Sequence, residues 1–398
     1  MKSLARVWFL ILLLASAVLA ACGGGSEAPS IPPQGTVRVG LTDAPGCRVG
    51  NADIARVFVT VQKVRIHALA DAGESGPGWS EIVLSPARRI DLLQLTNGTL
   101  EPLGSTPVPA GSYSQVRLVL AANDNAAPYA NALVLAGSST ELPLATPSAM
   151  QSGLKVNRPF AVAANAVVDL VIDFDACRSI VARGNGSYSL KPTMMASVRS
   201  VAAIQGHVDP AVPGVLVSAQ KNGEVLRSTV PAADGKFVLA YLDSALSPFE
   251  VVVTAPARAT LVVSGVPASN SAVTSLNAGT SPLGLPVSAI QAASGQLSPI
   301  AARETGWVRA LQAVGPVPRV EVAWTNVAPF DGAYALSLPT GAALWSPYAA
   351  SGLNFQFQSA SAAAYTLQAG AAGFARQDSL LLNLALPRTQ DFSLLPSP

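Results

Sequence analysis

Carboxylates at two-residue spacing are the first chemistry this chain offers. In the stretch Asp169-Leu-Val-Ile-Asp-Phe-Asp175, an extended backbone puts Asp169, Asp173 and Asp175 on one face with Val171, and Leu170, Ile172 and Phe174 on the other. Carboxylates gathered at a strand end beside a turn are oxygen ligands of the kind that a hard cation such as Ca²⁺ takes, and Asp43 could join Asp173 and Asp175 in such a site. At least six oxygens are needed and few are visible, so the competing reading is a solvated sheet face with Arg178 or Arg183 as counter-charges.

Nothing else in the chain assembles a reaction. The two histidines, His67 and His207, have no second ligand or base nearby in sequence and are expected at the surface or at strand edges. Ser152-Gly-Leu-Lys155 matches the bare S-x-x-K pattern, which needs a helix to bring amine and hydroxyl together. Gly153 opposes that helix, and the S-D-N and K-T-G companions do not occur. There is no G-x-S-x-G elbow and no phosphate-cradling glycine loop. No catalytic residue is assigned and no cofactor is expected, Ca²⁺ apart. Trp345-Ser-Pro-Tyr348 and Phe355-Gln-Phe357 could form an aromatic platform for a sugar or a partner protein, or could simply pack.

The N-terminal segment says where any such chemistry takes place. Lys2 and Arg6 precede an apolar run from Val7 to Ala21, too short for a membrane span and laid out as a secretory signal over residues 1–21. Leu19-Ala20-Ala21-Cys22 resembles the lipobox of bacterial lipoproteins. That resemblance implies acylation of Cys22, as with palmitate, and a membrane partner held through the lipid. Gly23 stands where an aspartate would retain such a protein at the inner membrane, so the resemblance implies the outer membrane, facing either the periplasm or the cell surface. Residues 22–34, with the tract Gly-Gly-Gly-Ser-Glu-Ala-Pro-Ser-Ile-Pro-Pro-Gln, read as a lipidated cysteine and an extended tether. In an oxidising compartment the two remaining cysteines, Cys47 and Cys177, are expected to pair; buried free thiols are the alternative.

Composition narrows the partners. Removing Lys2 and Arg6 with the signal takes the basic side chains from 25 to 23, against 23 acidic ones. A neutral chain without a run of Lys or Arg lacks the electrostatic footprint of a nucleic-acid binder. Charged residues make up only 12% of the chain, so Ser, Thr, Ala, Gly, Asn and Gln must cover much of its surface.

Period-two alternation dominates the remainder. Val57, Val59 and Val61 fall on one face of a strand and Arg56, Phe58, Thr60 and Gln62 on the other, and residues 36–41, 113–120 and 167–174 alternate likewise. Turn signals separate them at Asp43-Ala-Pro-Gly46, Asn97-Gly98, Pro109-Ala-Gly111 and Gly184-Asn-Gly186, and Asn97-Gly98 reads as a type I′ hairpin tip without a functional role. The fold class is all-β: tandem β-sandwiches of immunoglobulin-like or transthyretin-like type behind the signal and tether.

Several stretches occur in an order that resembles the bacterial lipoprotein family catalogued as domain of unknown function 4382. They are GTVRVGLTDAPGC (35–47), VFVTVQKVRIH (57–67), RIDLLQLTNG (89–98), LPLATPSAMQSGLKVN (142–157), DLVIDFDAC (169–177) and YSLKP (188–192). The resemblance covers residues 35–200 and implies a compartment and a β-rich fold, not a mechanism. Beyond it an internal repeat appears: residues 204–255 parallel residues 293–370, and each copy has Asp-Gly, at 234–235 and 331–332, leading into an aromatic-apolar strand. Residues 201–285 resemble a carboxypeptidase regulatory-like, transthyretin-type sandwich, and residues 286–398 a divergent second copy. The expected function is a non-catalytic binding, adhesion or structural role in the cell envelope, with a glycan or an envelope protein as partner. The alternative is a hydrolase or transferase acting on envelope polysaccharide through a carboxylate site.

Overall fold

The computed structural model describes residues 32–43, 47–49, 52–146, 153–183, 185–191 and 193–398, with residues 47–49 and 52 described by backbone alone. The signal, Cys22 and most of the tether lie outside the described residues, as do Ser152 and the side chain of Cys47. What is described is nearly all β and forms three sandwiches in tandem, each with its own apolar core.

The first sandwich is organised by the 16-residue strand Ala52–His67. It pairs with Cys47–Val49, Ser80–Asp91, Gly111–Leu120 and Ala132–Leu135 within a nine-stranded sheet. Val57, Val59 and Val61 are fully buried, as their alternation predicts, but further along it is Val64 and Ile66 that point inward. A bulge between Val61 and Lys63, present in the pairing with both neighbours, inserts the extra residue that switches the inward positions from odd to even. Facing this sheet is a four-stranded one, ordered Met194–Val198, Val167–Phe174, Gln34–Asp43 and Glu101–Pro109, whose two middle strands run parallel. Val37, Val39 and Leu41 from one and Leu170, Ile172 and Phe174 from the other fill the space between the sheets.

The second and third sandwiches repeat one plan. In the second, Ile204–His207 pairs antiparallel with Lys236–Leu239; in the third, Ile290–Ser298 pairs with Ala333–Pro339 in the same way. Both Asp-Gly turns have one geometry: Asp234 Oδ1 accepts from Lys236 N, and Asp331 Oδ1 accepts from Ala333 N, at 2.9 Å each. Gly235 and Gly332 have φ of +83° and +79°, and each carbonyl accepts from the neighbouring strand, at Val208 N and Leu297 N. A Cβ at either position would collide with the backbone carbonyl opposite, so both the dihedral and the close approach call for glycine.

One element departs from the expected division at residue 286. Ala343–Pro347 pairs parallel with Leu261–Val266, and Gln356–Gln358 pairs with Ala343–Pro347, so both extend the six-stranded sheet of the second sandwich. Leu344 joins that sandwich's core, with Tyr348, Leu353 and Phe355 packed beside it. The outer face of the same sheet is also covered: Val252 and Val262 meet Val314, Val317 and Val320 of the third sandwich in a separate buried cluster. Gln220 of the second sandwich acts there as a substitute strand, donating to Glu321 O at 2.8 Å and accepting from Glu321 N at 2.7 Å.

Candidate functional site

The side chains whose chemistry stood out in the sequence converge on the junctions between sandwiches. Asp173 points away from the first core, and the strand Glu224–Thr229 of the second sandwich covers it. Arg227 lies on the opposite strand face from Leu226, which packs toward its own core, and its Nη1 donates to Asp173 Oδ2 at 2.9 Å. Both side chains are more than nine-tenths buried. Nη2 of Arg227 donates to Ser197 Oγ at 2.7 Å, which adds a residue of the adjacent strand, the one opposite Val171, to the contact. Burial raises the Asp173 carboxyl above its ordinary range, against the opposing pull of Arg227 and, more weakly, Arg178. At Asp173 the face expected to be solvated is therefore an interface.

Asn97-Gly98 locks the same junction. Asn97 and Gly98 have φ of +53° and +80°, and Thr99 N closes the turn on Thr96 O. The turn follows a short helical turn, Leu92–Gln94, and precedes Glu101–Pro109, so it is not the tip of a hairpin between two strands. Its polar groups are spent on the second sandwich. Asn97 N donates to Thr229 Oγ1 at 3.1 Å, Nδ2 donates to Val230 O at 3.1 Å, and Oδ1 accepts from Val238 N at 3.0 Å. Tyr241 OH donates to Gly98 O at 2.7 Å. Between this turn, Asp43, Asp173 and Arg227, a void of only about 20 Å³ remains.

The other acids take different partners. Asp169 sits on Arg38, its strand neighbour, through two bonds of 2.5 and 3.0 Å at the surface. Asp175 caps the short helix Ala176–Ser179 by accepting from Arg178 N at 3.0 Å, and Asp43 Oδ1 accepts from Ala176 N at 2.9 Å. Burial raises the Asp175 carboxyl as well, with Arg178 working in the opposite sense. Among the described residues no group of three His, Cys, Asp or Glu side chains is placed to hold a metal ion. Asp43, Asp173 and Asp175 instead face arginine or backbone donors. Arg178, one of the expected counter-charges, does pair with Asp175, at 3.1 Å; Arg183 reaches Glu304 at 3.9 Å.

From Arg178 an alternating chain of charges runs through all three sandwiches. Arg178 bonds Glu321 of the third; Arg309, on the neighbouring strand, bonds Glu321 at 3.2 Å and Glu224 of the second at 2.7 Å; Arg376 closes the series on Glu224. Arg309 and Glu321 are nearly inaccessible to solvent. Burial opposes ionisation of Glu224, but Arg309 and Arg376 together hold its carboxyl below the usual range. Asn326 adds two bonds of 3.1 Å from the third sandwich to the carbonyls of Arg178 and Ile180.

Beside this chain, the first and third sandwiches leave a cleft of about 460 Å³ between them. Lys191, Thr193, Thr305, Trp307, Phe374 and Arg376 line it. Lys191 follows the strand Tyr188–Leu190 and is fixed by its own N–H on Ser179 O; its Nζ stands 3.4 Å from Gly306 O. Burial lowers its pKa to about 8, with Glu304 pulling the other way. Trp307 lies directly across from Gly370 in the pairing of Trp307–Val314 with Ala364–Gly370, and its indole occupies the space a Cβ there would fill.

The remaining sequence candidates are structural. His67 is buried rather than at the surface: Nδ1 accepts from Leu69 N at 2.9 Å, which puts the ring hydrogen on Nε2, facing Pro77 O at 3.0 Å. His207 is partly buried beside Gly279. Lys155 is exposed on the strand Leu154–Val162, so its segment is extended rather than helical. Trp345 donates to Ser264 Oγ at 2.9 Å and packs on Gly315; of the aromatic group only Phe357 is largely exposed. Arg227, Glu321, Arg309, Lys191 and Arg376 carried no motif: Arg309 and Glu321 are 12 residues apart on paired strands, and each of the five also has a partner on another sandwich, 54 to 152 residues away.

Residues 34–192 match the family described as Domain of unknown function (DUF4382), close to the span expected from its motifs. No curated protein matches the chain. Among solved structures it has weak likenesses to a Streptococcal ancillary pilin, with 10% identity over 92% of this chain and 100% of that one and a TM-score of 0.17, and to BcpA, the major pilin subunit of Bacillus cereus, with 10% identity over 92% and 100% and a TM-score of 0.13. A third is the pilus adhesin SpaC from Lactobacillus rhamnosus GG, with 9% identity, 92% of this chain, 44% of that chain and a TM-score of 0.12.

Proposed function

We propose that this chain is a lipid-anchored envelope protein of the outer membrane with a non-catalytic structural or adhesion role, its three sandwiches moving as one body. The observation that carries this reading is the use made of the charged and polar groups. Asp173 and Arg227, the Asn97-Gly98 turn and the series Arg178, Glu321, Arg309, Glu224 and Arg376 are all spent on holding one sandwich against another. Inter-domain contacts within a chain are ordinarily loose and polar, and relative motion is the default; buried ion pairs and an interlocked turn oppose it. A protein whose ionisable groups are tied in this way suits bearing load or displaying a surface at a fixed distance from a membrane.

Acylation of Cys22 supplies the anchor in this reading, and a Cys47–Cys177 bond ties the short helix Ala176–Ser179 to the strand Cys47–Val49, against which it packs. Such a cross-link stabilises by up to about 5 kcal/mol in the chain-entropy account. Mass spectrometry of protein extracted from membranes tests both modifications: an acylated N-terminus at residue 22 and one disulfide are expected, and an intact signal or two free thiols would overturn them. Spin labels on the first and third sandwiches test the single body. A narrow distance distribution supports it, and a broad one refutes it.

A further inference from the structure

We propose that the cleft between the first and third sandwiches is a binding site for an anionic saccharide, a sugar bearing carboxylate groups. This goes beyond the structural role above and does not depend on the lipid anchor. The space is of the right size, about 460 Å³, within the usual range of roughly 300–1,000 Å³ for small-molecule sites. Its lining has the two halves that a charged sugar needs. Trp307 and Phe374 supply aromatic surface of the kind on which the C–H face of a pyranose stacks. Lys191 and Arg376 supply cations, one from each sandwich, and Thr193 and Thr305 supply hydroxyls.

The charges are not used up internally. Among the described residues the Lys191 ammonium meets one acceptor, Gly306 O, at a long 3.4 Å, and such a group has three donors to place. Arg376 bonds Glu224 through Nη1 and lies 5.4 Å from the centroid of the Trp307 ring, and its Nη2 and Nε make no hydrogen bond among the described residues. The acids near the cleft are shared with other cations: Glu304 lies 3.9 Å from Arg183, and Glu224 also pairs with Arg309. An ammonium group held partly out of water without a close counter-ion is costly unless an anion arrives. The indole is pre-positioned as well, since it lies over Gly370 and no side chain at that position can lift it away.

The two cations come from separate sandwiches, which the Arg178–Glu321 ion pair brings against each other beside the cleft. A neutral sugar would meet the aromatic surface but leave Lys191 unpaired, and an inorganic anion would pair with Lys191 but forgo the rings. Both groups together select a ligand that is flat and apolar on one face and charged at its edge.

Titration calorimetry with the full chain tests this, using tetragalacturonate, maltotetraose and inorganic phosphate as probes. Saturable binding of tetragalacturonate is expected, at least tenfold tighter than either other probe. Lys191→Gln and Arg376→Gln should each weaken it tenfold or more in protein whose circular dichroism shows the parent's β structure. No binding, equal binding of maltotetraose, or equal binding of phosphate would overturn the proposal. So would Lys191→Gln and Arg376→Gln variants that fold normally and bind as before. Loss of the inter-sandwich rigidity tested above, with binding retained, would refute the single-body reading and not this one.

Discussion

Arg178 of the first sandwich and Glu321 of the third, 143 positions apart, form an ion pair at a junction where the Glu321 side chain is only 4% exposed. On its other side Glu321 meets Arg309, which is equally buried. Replacing this shared carboxylate leaves Arg178 with Asp175 and Arg309 with Glu224 as carboxylate partners, both of them more exposed than Glu321. Glu321→Gln should still destabilise the chain by about 3–5 kcal/mol, the usual cost of removing one partner from a buried pair. Urea denaturation followed by tryptophan fluorescence reads this as a lower midpoint. A shift of less than about 1 kcal/mol would mean that water reaches the pair.

Asp173 and Arg227 present a different balance, because burial already holds the carboxyl above its ordinary range. Changing either residue alone, Asp173→Leu or Arg227→Met, should cost about 3–5 kcal/mol by stranding the other polar group. Replacing both with apolar residues of similar size, Asp173→Leu with Arg227→Met, should recover most of the loss. A double-mutant cycle in thermal melts decides the matter: additive effects would show that the two groups do not depend on each other.

Asn97 combines a left-handed backbone with four bonds to the second sandwich. Asn97→Gly keeps the dihedral and loses the side-chain bonds, whereas Asn97→Ala loses both. Each buried group left unsatisfied costs about 1–3 kcal/mol. Cleavage of the segment joining the first two sandwiches, near residues 199–203, should speed up in both variants, more in the alanine one, when measured by limited proteolysis. Unchanged cleavage in both would remove the turn from the docking account.

Lys191 makes stability depend on alkaline pH. Its folded pKa is about 8 against an ordinary 10.5, so between these values the unfolded chain holds a proton that the folded chain has shed. Stability contributed by this group therefore rises with pH across that window, and below about pH 8 the full cost of burying the charge is present. Glu304 offsets part of that cost, and Arg183 beside it weakens the offset. Lys191→Met should be more stable than the parent at pH 7, and the difference should shrink by pH 10. Parallel urea curves at the two pH values check this.

Local pattern carried the strands and turns a long way. The inward valines at 57, 59 and 61 and the two Asp-Gly turns followed from alternation and from the demands of positive φ, both of which act over a few residues. What was not legible depends on distance. The bulge after Val61 has no signature of its own; only the burial of Val64 and Ile66 reveals it. Asp173 read as a ligand or a solvated acid because Arg227, on another domain, was invisible from its neighbourhood. For the same reason Asn97-Gly98 was recognisable as a turn and not as a docking element. Trp345 and Phe355 looked like a surface platform because sequence alone could not place their segment in the second sandwich's sheet.

That borrowed segment fixes an order of events. Leu261–Val266 is a bare sheet edge until Ala343–Pro347 arrives, roughly eighty positions later, and the middle core lacks Leu344 until then. A polypeptide threaded outward from its N-terminus would display an open edge to its neighbours for the whole interval, a standing invitation to mispairing. The last two modules must mature together, and truncation between residues 266 and 343 would leave behind a sticky fragment rather than a shorter protein.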